Sequence, residues 1–200
     1  MRGVAMHGMI IRSIQCFLED TYGRPVWEDI AKGAGLDPEA FEPMMPNRET
    51  RTDEVLRAAS RRLDKPRDTL LEDLGTYLVA HPAMQVVRRL LRFCGPDFHD
   101  FLYSLEELPE RARLAVPDLE LPVLDLREHD SESYTLTVTH DVPGFGHVMV
   151  GMLRAMADDY GALVLLDHIG RDAASEVVSI RLAEPAFSAG RRFDLRLKAG

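Results

Sequence analysis

The spacing of apolar residues along this 200-residue chain changes at Pro117. Before Pro117, apolar side chains recur every three or four positions, which places them on one face of a helix. After it they alternate with polar residues, which is the pattern of a strand with one buried face. The change predicts an α+β fold, in which an N-terminal helical lobe lies beside a C-terminal antiparallel sheet with one long packed helix.

Length and composition predict a single domain. With 46% hydrophobic residues, the chain is long enough to bury the core of one domain with two closely packed lobes. We place a short leader at residues 1–5 and the domain at 6–198. Its helical lobe covers about 6–116 and its α/β lobe about 117–198.

Proline, glycine and short polar residues predict where the helices begin and end. Gly23 suits a left-handed position after the first helix, and Thr52 or Asp53 can cap a later one. The segment 98–115 is predicted to be one helix that bends at Pro109, since proline lacks the backbone N–H. The other predicted helical segments are 9–22, 25–33, 52–63, 66–81 and 84–93, with a short helical turn at 37–47.

In the C-terminal half, alternation predicts a hairpin that turns near Asp130 and Ser131. Asp141 can cap the long helix that follows, and Gly161 ends it. The methionines of this helix are expected to fill gaps in a core. The predicted strands are 119–126, 134–142, 163–169, 177–182 and 193–197, and the helix covers 143–160.

Charge and cysteine content exclude several kinds of partner. The net charge of -9 repels phosphate backbones and anionic lipids, so we expect neither nucleic acid nor a membrane surface as a partner.

No apolar run approaches the ~20 residues that span a bilayer, and no signal peptide is recognisable, so a bacterial-type cytoplasmic protein is expected. Cys16 and Cys94 form no paired motif and are expected to be reduced and buried.

No motif of a known catalytic site occurs in the chain. The sequence lacks a GxSxG elbow, a P-loop, an HExxH motif and a Rossmann fingerprint. The segment Gly144-Phe145-Gly146-His147 lacks the glycine spacing that binds phosphate. We therefore expect no enzymatic activity.

Several short motifs occur in an order that one known family shares. They are Met6-His7-Gly8-Met9-Ile10, Phe17-Leu18 with Tyr22-Gly23, and Pro143-Gly144-Phe145 followed by Gly151-Met152-Leu153 and Tyr160-Gly161. From Met6 to about Leu197 the chain resembles the H-NOX family, the haem nitric-oxide/oxygen-binding domains. The resemblance implies that a histidine binds haem iron, that a YxSxR motif holds the haem propionates, and that the domain signals to a kinase or cyclase.

The stretch from Phe101 to Pro109 falls where the resemblance places the iron ligand. The family's helix has the pattern FLxxLxxLH, and Phe101-Leu102, Leu105 and Leu108 match it without a gap. The histidine position is then Pro109. Proline has no donor atom for iron, so the usual axial ligand is missing.

The resemblance places the propionate partners at Val138, His140 and Val142, where the family has Tyr, Ser and Arg. Two of the three positions have become apolar. The missing arginine would have been the strongest contact to a carboxylate, because its guanidinium can donate two parallel hydrogen bonds. Haem is therefore implied by the resemblance alone, and both of its usual anchors are absent.

Two other histidines are candidate iron ligands. His99 lies ten residues before Pro109, roughly 15 Å away along a continuous helix and on a different face. His140 alternates with Val138 and Val142 along the predicted strand, so its side chain should point towards the family's pocket. Each has a simpler alternative as a hydrogen-bonded structural histidine. His147 lies near a position from which some relatives present a tyrosine to oxygen. This chain has no tyrosine there, so the resemblance implies nitric oxide as the gas if haem binds.

Three functions are compatible with these features. The leading hypothesis is a non-enzymatic sensory or regulatory binding protein with the H-NOX fold. Its pocket would not hold haem through a histidine, and the predicted pocket positions are Pro109, Val138, His140 and Val142. The protein would bind a small apolar ligand there or act through contacts with other proteins. The alternative is a haem-based nitric-oxide sensor with a non-standard axial ligand, and a third is a small enzyme. The expected signalling partner is a histidine kinase, a cyclase or a phosphodiesterase, and the sequence indicates no metal site.

Overall fold

Seven α-helices build the described part of the N-terminal half. The computed structural model describes residues 3–36, 48–92, 95–115, 121–172 and 175–183. Apolar residues three or four positions apart give these helices their buried faces. The helices are α1 (Gly3–Tyr22), α2 (Arg24–Gly33), α3 (Arg48–Leu63), α4 (Arg67–Ala80), α5 (Gln85–Arg92), α6 (Phe98–Tyr103) and α7 (Leu108–Ala115), with 3-10 turns at Pro82–Met84 and Ser104–Glu107.

Two helices begin earlier than the sequence predicts. Helix α1 begins at Gly3, inside the segment predicted as a leader. Helix α3 begins at Arg48, so Thr52 and Asp53 lie within it and the prediction that one of them caps it is wrong. Thr52 is buried, and Asp53 forms an ion pair with Arg57 one turn later. The residues before Thr52 include good helix formers, which allow the helix to start sooner.

The segment 98–115 is broken before Pro109 rather than bent at it. It forms α6, a 3-10 turn and then α7. A proline ring clashes with the carbonyl four residues earlier in a regular helix, here that of Leu105, and cannot donate a hydrogen bond to it. The chain tightens instead, and the N–H of Leu108 donates to the Leu105 carbonyl. The prediction of one continuous helix is therefore wrong.

Within the described residues, four strands form one antiparallel sheet, in which the second strand lies between the first and the fourth and the third lies beside the fourth. The first hairpin turns at residues 131–132, where the sequence predicts its turn. The second strand ends at Thr139, so His140 and Val142 lie after it and not within it as predicted. The strands are β1 (Val123–Asp130), β2 (Ser133–Thr139), β3 (Val164–Asp172) and β4 (Ser175–Leu182).

The long helix α8 (Phe145–Tyr160) connects β2 to β3. Gly144 precedes it with φ 108°, and Gly161 follows it with φ 69°, both in the region that favours glycine. Gly144 holds the capping position, so the prediction that Asp141 caps this helix is wrong. The acceptor for the N–H groups of Gly144 and Gly146 is the carboxylate of Glu176, far along the chain.

Buried apolar side chains form two clusters that meet at α8. One cluster lies among α1–α4 and includes Val148, whereas the other lies under the sheet and includes Met149. Helices α4 and α8 cross at Gly75 and Gly151. A Cβ at Gly75 would overlap the Val148 carbonyl, and one at Gly151 would overlap the Glu72 carbonyl. Helices and an antiparallel sheet thus pack together, and the α+β prediction is confirmed.

Several predictions fall outside the described residues, namely those for 37–47, for 193–197 and for Cys94. Cys16, which was expected to be buried, is a half-buried free thiol. Within the described ranges, no helix has both the length and the apolar character needed to cross a bilayer. The domain limits of 6 and 198 and the division near 116 stay predictions.

Candidate functional site

The stretch from Phe101 to Pro109 is anchored in the core. Phe101, Leu102, Leu105 and Leu108 are buried in the cluster under the sheet, and Pro109 is buried as well. Pro109 is the second residue of α7. A saturated proline ring therefore occupies the position where the resemblance places an imidazole, and it offers no lone pair to a metal.

Two polar contacts hold the same stretch against strand β1. The N–H of Leu126 donates to Oε1 of Glu106 at 3.0 Å, and the hydroxyl of Tyr103 donates to Oε2 of Glu128 at 2.7 Å. The bond to the Glu128 carboxylate raises the pKa of Tyr103 above its ordinary value, since it favours the protonated phenol. These contacts fix the turn before Pro109 on the edge of the sheet.

His99 has a partner away from the predicted pocket positions. Its Nδ1 lies 2.9 Å from the hydroxyl of Tyr134, and the two rings pack edge to face with centroids 6.1 Å apart. Tyr134 is itself buried. His99 also lies on α6, whereas Pro109 lies on α7 beyond the 3-10 turn. One ring nitrogen of His99 is thus already used in a structural contact.

His140 lies in the turn between β2 and α8. Its Nδ1 accepts a hydrogen bond from the N–H of Val142 at 2.9 Å, and its ring packs on Phe145 with centroids 4.2 Å apart. Because β2 ends at Thr139, strand alternation does not set the direction of this side chain, contrary to the prediction. His140 remains close in sequence to the predicted pocket residues, with Nδ1 bound within the turn.

The two valines of the predicted pocket are buried. Val138 is 1% exposed and Val142 is 9% exposed. Val138 belongs to the same buried cluster as Leu108, the residue before Pro109. Leu108 and Val138 thus share one apolar cluster, and neither valine has a side-chain group that could hold a carboxylate.

A buried polar cluster at the start of α8 was not predicted from the sequence. Glu176 of β4 is 5% exposed, and its carboxylate accepts from the N–H groups of Gly144 at 2.5 Å and Gly146 at 3.0 Å. Nε2 of His168 lies 3.1 Å from the same carboxylate. Backbone N–H groups at the start of a helix favour a negative charge, so the Glu176 carboxylate on strand β4 caps helix α8.

Two stacked imidazoles extend this cluster to helix α4. The rings of His147 and His168 are nearly parallel, at 16°, with centroids 4.0 Å apart. His147 lies 3.5 Å from Glu72 and 3.6 Å from Asp68. Within the described ranges, no group of three or more His, Cys, Asp or Glu side chains is arranged to hold a metal ion. The cluster is therefore a network of hydrogen bonds and charges that joins α4, α8 and the sheet.

One sequence signal could have found Glu176. Strand β4 alternates between half-buried and buried positions, and the buried ones include Val178 and Ile180. Glu176 has the same phase, so an acid stands at an inward position of an otherwise apolar face. An inward charge predicts a buried partner, although its partners near Gly144 are distant in sequence.

The described fold is shared with solved structures of H-NOX proteins. An H-NOX of K. algicida in the unliganded Fe(II) state has a TM-score of 0.71 at 20% identity, covering 90% of this chain and 98% of that one. A mutant H-NOX of T. tengcongensis also has a TM-score of 0.71, at 14% identity, covering 91% of this chain and all of the other. At these identities the similarity shows a shared fold.

Sequence comparison gives the family. The model of the haem-NO-binding family, HNOB, matches residues 7–168, and the chain belongs to this family. Soluble guanylate cyclase gcy-31 of Caenorhabditis elegans is 24% identical over 180 residues, which are 88% of this chain and 26% of that protein. Soluble guanylate cyclase 89Db of Drosophila melanogaster is 18% identical over 82% of this chain and 24% of its own length. The chain thus spans about a quarter of these relatives, and the predicted family is confirmed.

The residues of this site do not fit the haem that the family's name implies. Pro109 cannot ligate iron, and the buried Val138 and Val142 cannot donate hydrogen bonds to propionates through their side chains. The start of α8, which could attract an anion, already holds the carboxylate of Glu176. The iron position and the carboxylate positions fail for separate reasons.

Proposed function

We propose that this protein is a non-enzymatic sensory or regulatory binding protein of the H-NOX type that does not hold haem through a histidine ligand. The observation that supports the proposal is the buried Pro109, at the position that the resemblance assigns to the iron ligand. The apolar region around Leu108 and Val138 favours a small apolar ligand or a role through protein contacts.

An absorption titration with haemin tests this proposal. We expect no sharp, stoichiometric Soret band and no shift when nitric oxide is added. A saturable one-to-one band that shifts with nitric oxide would overturn it. Bovine serum albumin at the same concentration measures non-specific haemin binding.

A second candidate is a haem-based nitric-oxide sensor with an unusual axial ligand. The match to a haem-NO-binding model favours it, as does the place of His140 between Val138 and Val142. If a Soret band forms, His140→Ala and His99→Ala identify the ligand, because loss of either imidazole would abolish the band it supports. Retention of the band in both variants excludes both residues.

The signalling partner belongs to the same proposal. The relatives named soluble guanylate cyclases support a cyclase, and a histidine kinase or phosphodiesterase remains an alternative. The test mixes this protein with a purified cyclase, histidine kinase or phosphodiesterase and measures complex formation and enzyme activity. We expect a saturable complex with one of these enzymes and a change in the activity of that enzyme. Absence of any complex together with absence of any pocket ligand would refute a regulatory role.

A further inference from the structure

Glu176 lies beside Val138 and binds the chain two residues after Val142, which are two of the positions that the resemblance assigns to the propionate partners. In the sheet it is the aligned neighbour of Val138, and both side chains are buried on the same face. Aligned side chains of antiparallel strands have Cβ atoms about 5 Å apart. Its carboxylate also binds the N–H of Gly144, two residues after Val142. A negative charge of the protein itself therefore stands where the carboxylates of a ligand would lie.

Two arginines lie near this carboxylate, Arg67 on α4 and Arg171 on β3. Arg67 donates to the carbonyl of Pro143 at 3.0 Å and lies 3.6 Å from Asp53 and 4.0 Å from Asp68. Arg171 is aligned with Glu176 on β3, but its side chain is exposed. Neither residue replaces the arginine that is missing at Val142.

Other charges around the start of α8 are mainly acidic. Asp68 and Glu72 of α4 both lie close to His147, and Arg154 of α8 pairs with Glu72 at 2.9 Å. His168 is the imidazole that contacts Glu176. A ligand carboxylate placed here would meet the like charge of Glu176, and close like charges oppose binding strongly.

We infer that Glu176 determines the ligand class of this site: it occupies the N–H groups at the start of α8 and excludes ligands that carry carboxylates, so the site selects uncharged apolar ligands. This inference rests on the proposed function, because it assumes that the site binds a ligand. It adds the residue and the charge that decide which ligand is accepted.

Two metal-free probes that differ only in their carboxylates test the inference. They are protoporphyrin, with two free propionates, and its neutral dimethyl ester, each titrated by fluorescence in detergent below micelle concentration. The wild-type protein should bind the ester at least about tenfold more tightly than the diacid. Glu176→Gln removes the charge and should reduce this ratio by about tenfold, mainly through tighter binding of the diacid.

Glu132→Gln is the matched control, because it removes the same charge near the hairpin turn at the opposite end of β2. It should keep the wild-type ratio. Val142→Lys adds a cation without removing Glu176 and should shift the ratio towards the diacid, which keeps a second route open if Glu176→Gln does not fold. Thermal unfolding establishes which variants are folded.

The outcomes separate the inference from the proposed function. Equal binding of both probes by the wild type, or an unchanged ratio in folded Glu176→Gln, would overturn the role of Glu176 and leave the proposed pocket intact. Binding of neither probe would refute a porphyrin-sized apolar pocket and the inference with it. A preference for the ester that Glu176→Gln abolishes would support both.

Discussion

At the scale of single residues, Pro109 decides which chemistry the site can perform. It is buried in the first turn of α7, and it follows Leu108, which packs in the cluster that contains Val138. The absence of a ligand atom is therefore a property of one side chain and can be changed by one substitution.

Replacing Pro109 by histidine should increase the affinity for haemin. We expect Pro109→His to bind haemin at least about tenfold more tightly than Pro109→Gln, a difference of about 1.4 kcal/mol, because only the imidazole supplies a good iron ligand. Spectral titration of both variants measures the difference. Identical affinities would show that position 109 does not face the ligand site.

Tyr77 gives a pH dependence whose sign can be worked out. Its hydroxyl donates to Oδ2 of Asp20 at 2.6 Å, and burial, followed by this hydrogen bond, raises the pKa of Tyr77 above its ordinary value. The folded state then holds the phenolic proton more tightly than the unfolded chain, in which tyrosine titrates near pH ~10. The stabilisation is complete below about pH 10 and is lost as the pH rises above it.

Tyr77→Phe should therefore flatten the alkaline decline in stability. In chemical denaturation between about pH 9 and pH 11, the free energy of unfolding should fall less steeply in the variant than in the wild type. At neutral pH the variant should be less stable by about 1 kcal/mol, since a hydrogen bond to a carboxylate is lost. Parallel declines for the two proteins would contradict this assignment.

At the scale of elements, the contact between α4 and α8 is the closest helix packing that the glycines reveal. Gly151→Ala would press a methyl group against the carbonyl of Glu72, and Gly75→Ala would press one against that of Val148. Neither backbone can yield without moving a helix, so each variant should lose about 1–3 kcal/mol of unfolding free energy in urea denaturation.

Gly33→Ala serves as the control for these two variants. A Cβ at Gly33 would make an ordinary contact of 3.7 Å with Ala58. Gly33 is the last residue of α2, whereas Gly75 and Gly151 lie inside α4 and α8. It should change stability by less than about 1 kcal/mol. An equal loss at Gly33 would contradict the role of close packing, because alanine favours a helix more than glycine does and makes only an ordinary contact there.

The elements themselves were largely predictable, because local spacing of apolar residues determines them. The 3.6-residue pattern found α2 and α4, and alternation found the β1–β2 hairpin and β4. The break at Ser104–Glu107 was missed because Pro109 was expected to bend one helix, whereas the chain tightens into a 3-10 turn before it. The end of β2 at Thr139 was missed because His140 and Val142 continue the alternating sequence pattern, although the strand itself stops before them.

The site was predictable only where it follows from position along the chain. Pro109 could be placed by counting from Phe101 and Leu105, and the valines by counting back from Gly144 and Gly151. The bonds of Glu176 to Gly144 and Gly146 join residues about thirty positions apart, and no local pattern connects them. Long-range polar contacts of this kind require the three-dimensional fold.

At the scale of the whole molecule, helix α8 connects the two buried clusters and the polar network. Val148 packs into the cluster of α1–α4, Met149 packs under the sheet, and the start of the helix is held by Glu176. A ligand near Val138 would therefore contact the element that both halves share. This arrangement gives a physical route by which occupancy of the site could change the surface offered to a partner.

The most direct test of the central claim is the haem content of the protein after purification with added haemin. We predict far less than one haem per chain, with a broad absorption that does not shift with nitric oxide, because Pro109 provides no ligand and Val138 and Val142 provide no propionate partners. A ratio of one haem per chain, with a sharp Soret band that shifts with nitric oxide, would contradict this account.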